Sequence, residues 1–423
     1  MQQFNFLDLN APLFKYIQPG IFRKSTLICS FLKYGFWFVN LNRLKMKNLF
    51  LLVLVFSAIA SLSFGAIRRV GFFGVPVAGT DYSTFALAYN AAASGDTILV
   101  FPGIPAINQV ITKKIIIIGP GSLLDPNSTP KGNANLQAFA GTVGISTITF
   151  NSGSEGSVMM GLEGGTIYIG AASNITIRRN RDILVYLVGA NAVTTSSNIQ
   201  IIENYKLDVR SYYANGSSIT GLNISNNFMH YFATAPLNTY NGNISNNVWA
   251  YDGTAAGTNG GASTLSSTSE INLGGGAYLF QNNILVSYTH ATLNNSYNYF
   301  SFLNGSNTVF NYNLALQTGT GGSQVWGVGT GNIITPIANA AAIFDGFPLI
   351  GAFSADARYK LKAGSPALTV GAGGTAIGMF AGNTPYKLGM VPNIPSIYQL
   401  GSPQGNNPPG NTIQINVSTR GNN

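Results

Sequence analysis

The chain alternates apolar and polar residues in short runs, and each run ends on asparagine. Two copies read N-I-T-I-R-R-N at 174–180 and N-I-Q-I-I-E-N at 198–204, and shorter copies continue to residue 313. A period of two is typical of a β-strand with one buried face. The first closing asparagines are 24, 23 and 20 positions apart. A repeat of roughly 20–25 residues indicates a solenoid with one strand-and-turn unit in each coil.

Alignment on the closing asparagines predicts which positions face the core. One column lies three residues before the asparagine and holds Ile177, Ile201, Ile224, Ile244, Phe280 and Phe310. A second column lies five residues before it and holds Ile175, Ile199, Leu222, Gly242, Tyr278 and Thr308. The asparagines are predicted to form a hydrogen-bonded ladder along the axis, consisting of Asn180, Asn204, Asn227, Asn247, Asn283 and Asn313. We predict a structural and not a catalytic role for them.

The segment before the repeats predicts a capping helix followed by strands. Apolar residues recur at helical spacing at Phe85, Ala88, Tyr89 and Ala92. Ser83 or Thr84 is placed to cap this helix. Strands are predicted at Thr97–Phe101 and from Lys114 to Ile118. A solenoid end exposes unpaired strand edges, so a cap is physically required there.

Two motifs carry a family resemblance. One is A-A-A-S-G-D-T-I-L-V-F-P-G at 91–103, followed by an apolar strand ending in G-P-G at 119–121. The other is Y-K-L-K-A-G-S-P-A at 359–367, followed by I-G-M-F at 377–380. Over residues 80–381 the chain resembles secreted right-handed parallel β-helices of the pectin-lyase type. The resemblance implies an all-β, single-stranded right-handed parallel β-helix with a short N-terminal capping helix, and a last coil whose final strand is 377–380. We expect a bacterial protein.

The N-terminal region predicts targeting. Lys47 precedes an apolar run from Leu49 to Leu62, and small residues follow up to Ala66. This order is typical of a secretory signal peptide, and about fourteen apolar residues are too few to span a membrane. We therefore expect translation to begin at Met46. The predicted division is an upstream extension at 1–45, a signal peptide at 46–66, the β-helix at 67–383 and a Pro/Gly/Asn-rich tail at 384–423.

Net charge argues against nucleic-acid binding. The formal charge of the chain is +9, but residues 1–69 hold nine Lys or Arg and one acid, which leaves +1 for the remaining residues. Phosphate recognition requires many cations on one face. The one cysteine, Cys29, lies in the predicted extension. We therefore predict no disulfide, no metal and no cofactor in the mature chain.

The charged residues of the coils predict an ion-paired outer wall. In the predicted register Arg179 falls over Glu203, and Asp182 falls over Lys206. A calcium-dependent lyase would need several carboxylates converging on one site, together with a basic residue. Here the acids alternate with cations, so we favour the ion-paired wall.

Two insertions interrupt the repeat and are the predicted functional loops. They span Asp252–Gly276 and Thr289–Gly305, and insertions of a solenoid emerge on one face. A glycoside hydrolase needs two carboxyl groups about 5–9 Å apart. The candidate catalytic residues are Asp252, Glu270 and His290, and the candidate substrate-binding residues are Tyr251, Tyr288, Tyr297 and Tyr299.

The remaining surface predicts a binding function. Its candidate exposed aromatics are Tyr212, Tyr213, Tyr231, Trp249, Tyr251 and Tyr288, although some of them must instead belong to the core or stack along the coils. We predict a non-catalytic, secreted or cell-surface protein that binds glycans or serves as an adhesive or structural rod. The alternative is a polysaccharide lyase or glycoside hydrolase. The expected partner is an extracellular polysaccharide, with no nucleic acid and no transmembrane span, and we expect a monomer.

Overall fold

The computed structural model describes residues 26–30, 36–40, 65–71, 76–136, 141–187, 193–211, 216–234, 237–250, 271–286, 307–317, 326–347, 352–401 and 416–420. The chain divides into two units, Met1–Phe64 and Gly65–Asn423. In the first unit, β1 (Thr26–Ser30) and β2 (Phe36–Asn40) form an antiparallel pair. The apolar run of the predicted signal peptide, the two insertions from Asp252 to Glu270 and from Thr289 to Gly305, and residues 402–415 lie outside the described residues.

The second unit contains two sheets in which every strand pair is parallel. Sheet 1 has twelve strands: β3 Ile67–Val70, β4 Asp81–Tyr82, β5 Thr97–Val100, β7 Ile116–Ile118, β9 Val158–Met160, β11 Thr176–Arg178, β13 Thr195–Ser197, β14 Gln200–Ile202, β16 Ser218–Ser225, β18 Thr239–Ser245, β21 Ala277–Gln281 and β23 Val309–Asn311. Sheet 2 has eleven: β6 Ile107–Ile111, β8 Ile145–Phe150, β10 Thr166–Ile169, β12 Leu184–Tyr186, β15 Tyr205–Ser211, β17 Phe228–Thr234, β19 Val248–Trp249, β20 Ile271–Asn272, β22 Ile284–Val286, β24 Leu314–Gln317 and β25 Ile333–Pro336.

The chain crosses sheet 1 and then sheet 2 once in each coil. Strand β11 is followed by β12 in the other sheet, and β14 pairs with β11 one coil later. Neighbours within a sheet are therefore successive coils, which is the architecture of a parallel β-helix. The all-β solenoid predicted from the repeat is confirmed.

The cap at the start of the solenoid follows the predicted pattern. Helix α1 spans Phe85–Ala91, and the Thr84 side chain accepts a hydrogen bond from the backbone N–H of Leu87 at 3.3 Å. Its apolar face is buried at Phe85, Ala88 and Tyr89. Burying these side chains over the first coil covers core that would otherwise meet water.

Side chains from both sheets fill the interior. In sheet 1 the column from Ile177 to Phe310 is buried throughout, as the period of two predicts. The second column is also buried except at Gly242, where a Cβ atom would collide with the carbonyl oxygen of Leu222. Close approach of the backbone therefore excludes an apolar side chain at that position.

Asparagines form a continuous ladder at the turn between the two sheets. The backbone N–H and Nδ2 of Asn180 both donate to Oδ1 of Asn204, at 2.9 and 3.2 Å. The same pair of bonds recurs at each later step of the six-residue series. Each amide from Asn204 onward also donates to a backbone carbonyl of the preceding coil, as Asn227 does to Ile201 at 2.9 Å.

The ladder extends one coil beyond the sequence prediction. Asn313 donates from its backbone N–H and Nδ2 to Oδ1 of Asn332, at 3.1 and 2.9 Å. Asn332 lies 19 residues after Asn313 in the stretch T-G-N-I-I-T, which keeps only a short part of the repeat. The spacing of the closing asparagines could have predicted Asn332 as the next member of the ladder.

The segment after the last coil does not form the predicted final strand at 377–380. After β25 the chain forms short helices: Ile337–Asn339, α2 (Ala340–Ile343), Ala357–Tyr359, Pro366–Leu368, Ala372–Gly374 and Leu388–Met390. Residues 378–380 form a bend and a turn, and Ile377 lies in irregular structure. They do not pair as a strand because their backbone groups bind the ladder turns instead. The N–H of Gly378 donates to the carbonyl of Asn282 at 2.9 Å.

This C-terminal segment runs back along the turns toward the start of the solenoid. Nδ2 of Asn226 donates to the carbonyl of Met379 at 3.0 Å, and Nη1 of Arg179 donates to the carbonyl of Val391 at 2.8 Å. The segment covers a second apolar core outside the coils. This second core contains the solenoid residues Tyr205, Phe228, Val248, Ile284 and Leu314, and the C-terminal segment residues Phe344, Tyr359, Ile377, Met379, Tyr386 and Met390.

Buried Asp356 ties the C-terminal segment together. Its Oδ1 accepts from Asn133 Nδ2 and Ser354 Oγ, each at 2.9 Å. Its Oδ2 accepts from the Tyr386 hydroxyl at 3.1 Å and the Gly389 N–H at 2.8 Å. Beyond it, β26 (Ser396–Gly401) pairs antiparallel with β27 (Asn416–Arg420). The first residues of the predicted tail, through Val391, are therefore packed on the solenoid.

Candidate functional site

All the catalytic and substrate-binding residues predicted from the sequence lie outside the described residues. They are Tyr251, Asp252, Glu270, Tyr288, His290, Tyr297 and Tyr299. Their roles stay predictions. The structure does describe the strands from which the first insertion leaves the solenoid.

The first insertion leaves sheet 2 beside a histidine. Trp249, just before the insertion, pairs with Met229 of β17, and Ile271, just after it, pairs with Phe232. Between those two β17 positions lie His230 and Tyr231. Both are partly exposed. The two residues that flank the first insertion, Trp249 and Ile271, are therefore next to His230 and Tyr231.

The outward positions of sheet 2 form two columns that we call the outer strip. One column holds Asn108, Thr147, Thr166, Leu184, Asp208 and Tyr231. The other holds Val110, Thr149, Tyr168, Tyr186, Arg210, Ala233 and Asn272. Only Asp208 and Arg210 are charged among these thirteen positions. The outer strip thus combines aromatic, aliphatic and hydroxyl groups with one pair of opposite charges.

Asp208 holds two neighbours of the outer strip at once. Its Oδ1 accepts from His230 Nδ1 at 3.0 Å, and its Oδ2 accepts from Arg210 Nη2 at 2.9 Å. Burial raises the pKa of Asp208, but the hydrogen bond from His230 and the positive charge of Arg210 lower it by more than burial raises it. The pKa of Asp208 therefore lies below its ordinary value of 3.8. The carboxylate therefore stays ionised at neutral pH.

Aromatic side chains of the outer strip follow one another along the axis of the solenoid. The rings of Tyr168 and Tyr186 stack with centroids 5.0 Å apart and an interplanar angle of 7°. Arg210 follows Tyr186 in register, and its guanidinium carbon lies 4.6 Å from the ring centre of Tyr231. This distance is within the range of a cation–π interaction. Four side chains on successive coils, Tyr168, Tyr186, Arg210 and Tyr231, thus form one row.

The outer face of sheet 1 carries a different, uncharged array. Asn198 Nδ2 donates to Asn174 Oδ1 at 2.8 Å, and Gln200 Nε2 donates to Asn198 Oδ1 at 3.0 Å. Asn223 Nδ2 then donates to Gln200 Oε1 at 2.8 Å. These side-chain amides hydrogen-bond one another across coils, so they form a second ladder that stabilises the solenoid.

The predicted ion-paired wall is buried at one of its two pairs. Glu203 accepts hydrogen bonds from Arg178 and Arg179, and both Arg179 and Glu203 are 1% exposed. The prediction that the Arg179–Glu203 pair faces outward is therefore wrong, because the C-terminal segment covers this turn. Desolvation lowers the pKa of Arg179, although the charge of Glu203 opposes that change.

Trp249 also departs from the prediction of an exposed aromatic. It is 1% exposed and contacts Phe232 and Phe280 in the core. His230 is the residue that the sequence reading missed. The signal was present, because the chain holds only two histidines and this one interrupts the alternation of F-M-H-Y-F.

Two further observations concern the described residues as a set. They include no cluster of three or more His, Cys, Asp or Glu side chains. No described helix has the length and apolar character needed to cross a membrane.

No protein-family model and no curated protein matches the sequence. Among solved structures, the chain is similar to the crystal structure of pectate lyase Pel9A, over 75% of this chain and 98% of that one. The match has 13% identity and a TM-score of 0.38. On the geometry of its own coils, the chain is a parallel β-helix.

Proposed function

We propose that this protein binds glycans without cleaving them, through the outer strip of sheet 2, and that it works outside the cell. The row formed by Tyr168, Tyr186, Arg210 and Tyr231 is the observation that carries the proposal. Tyrosine offers a rigid surface with an apolar body and a polar rim, and it loses little entropy on binding. A sugar presents apolar C–H faces and hydroxyl groups, so the two surfaces are complementary.

The length of the outer strip supports a chain-like ligand. Its positions recur once per coil, and neighbouring parallel strands are about 4.8 Å apart. Threonines at 147, 149 and 166 extend the hydroxyl-bearing surface from the tyrosine row toward the start of the solenoid. A polysaccharide lying along the axis would therefore meet a similar surface on several coils.

Removal of the tyrosine row tests the proposal. Tyr186→Ala is expected to weaken glycan binding by about tenfold, because a central aromatic contact is typically worth more than 1 kcal/mol. Binding is measured by glycan array and isothermal titration calorimetry. Thr176→Ala, in the same coil on sheet 1, is the matched control and should leave affinity unchanged. Unchanged binding by Tyr186→Ala would exclude this surface.

The alternative function is a polysaccharide lyase or glycoside hydrolase with its groove under the two insertions. The observation that favours it is the hydrogen bond between Asp208 and His230, since a carboxylate-bound histidine can act as a base. Incubation with a panel of polysaccharides distinguishes the two functions. We expect no unsaturated product in the ultraviolet and no new reducing ends. Turnover that disappears in Asp252→Asn, Glu270→Gln or His290→Gln would support the enzyme.

A further inference from the structure

Resting on the proposed glycan binding, we propose that Asp208 is a specificity-determining residue that makes the outer strip select uncharged glycans over acidic ones. Asp208 and Arg210 are the only charged residues among the thirteen positions of the outer strip. Their charges cancel. The strip therefore presents no net charge to a ligand, although it contains an arginine.

The geometry of Arg210 limits its ability to bind the carboxylate of an acidic sugar in a bidentate manner. Bidentate binding of a carboxylate uses two guanidinium nitrogens in a planar fork. Nη2 of Arg210 already donates to Asp208, and Nε is buried. The fork formed by Nε and Nη2 is therefore closed to a ligand carboxylate, and what remains for a ligand is Nη1 and the second N–H of Nη2. A neutral hydroxyl needs only one donor.

The position of Asp208 adds a repulsive element. Its side chain is 19% exposed, between Arg210 and His230, which are each 32% exposed. A uronate carboxylate that approached Arg210 or His230 would come close to the Asp208 carboxylate, and like charges in a partly desolvated site repel strongly. Selectivity by an unfavourable contact with the wrong ligand is a general device of specific interfaces.

Adjacent residues leave this balance unchanged. The next charged positions on β15 and on the turn before β12 are Lys206 and Asp182, which carry opposite charges. The N–H of Asp182 bonds the carbonyl of Tyr205, so the two residues lie on neighbouring coils. The selectivity therefore depends on Asp208 and not on a wider field.

The test compares one polymer in two charge states. The probes are a linear uronic-acid polymer and its carboxyl-reduced, uncharged form, titrated separately against the full chain. Wild type is expected to bind the uncharged form at least about tenfold more tightly. Asp208→Asn keeps the shape of the side chain and removes its charge, so the affinity ratio should shift toward the acidic polymer by about tenfold.

Two variants make the result decisive. Asp182→Asn makes the same charge change on the neighbouring coil without contact to Arg210, and it should leave the ratio unchanged. Arg210→Gln leaves Asp208 unbalanced, so it should move the ratio in the opposite direction, toward the uncharged polymer. It also provides a second reading if Asp208→Asn does not fold, which circular dichroism will reveal.

The outcomes separate this proposal from the proposed function. Wild type that prefers the acidic polymer overturns the role of Asp208 but leaves glycan binding intact. An equal shift in Asp208→Asn and Asp182→Asn also overturns it, because the effect would then come from net charge alone. Wild type that binds neither polymer nor any glycan on an array overturns both proposals.

Discussion

Two of the acid–arginine contacts in the described part of the solenoid lie in opposite environments. Arg179 and Glu203, at the ladder turn, are each 1% exposed under the C-terminal segment. Arg210 and Asp208, on the outer strip, are 32% and 19% exposed. The first pair therefore serves the attachment of a covering segment, and the second is accessible to a ligand. The difference in exposure comes from what packs over each pair.

The largest expected difference between the two regions is in stability. Glu203→Gln leaves Arg178 and Arg179 without their counter-charge in a buried site, so we expect a loss of about 3–5 kcal/mol in the free energy of unfolding. Asp208→Asn, on the open face, should cost about 1–2 kcal/mol. Urea denaturation followed by circular dichroism measures both changes, with the exposed Asp182→Asn as control. Equal losses at positions 203 and 208 would contradict the burial of the turn.

The ladder provides the next comparison, between a covered coil and the last coil. Asn227→Ala removes the acceptor of two Asn204 donors and the donor to the Ile201 carbonyl, all of them buried. We expect a loss of about 3 kcal/mol, because several buried polar groups lose their partners. Asn332→Ala should cost about 1 kcal/mol, since Asn332 is partly exposed and water can replace its oxygen. Urea denaturation of the two variants measures both losses. A larger loss for Asn332→Ala than for Asn227→Ala would show that the ladder is stabilised mainly at its last coil.

The smallest expected effect is a pH dependence on the open face. The folded pKa of Asp208 lies below the ordinary value of 3.8, so its contribution to stability is present above that value. This contribution is lost as the pH falls through the folded pKa. The stability difference between wild type and Asp208→Asn should thus shrink from pH 6 toward pH 3, as followed by melting temperature. A difference that stays constant across this range would show that the Asp208 carboxylate is not preferentially stabilised in the folded state.

Some features were predictable because they depend on local pattern. The spacing of Phe85, Ala88 and Tyr89 predicted helix α1, and a period of two predicted the inward columns. Register within a solenoid follows from that period, since a shift by one residue would expose the core. The final strand at 377–380 was not predictable in this way. Its apolar residues fit an inward strand and a covering segment equally well.

The candidate site was predictable only in part. The interruption of the repeat directed attention to the strands that flank the first insertion. The sequence did not associate His230 with Asp208, because they are 22 residues apart and no local motif joins them. Trp249 was expected at the surface for a similar reason, since an aromatic residue at a strand end suits either face.

By itself, the sequence determined the repeat, the two inward columns and the cap, because each depends on spacing along one strand or helix. Only the tertiary structure decided which outward residues stay exposed. The C-terminal segment returns along the turns and buries Arg179 and Glu203, while the outer strip stays open around Asp208 and Arg210. Burial of an outward residue depends on contacts with residues far away in the chain. A local pattern of apolar and polar positions contains no information about those contacts.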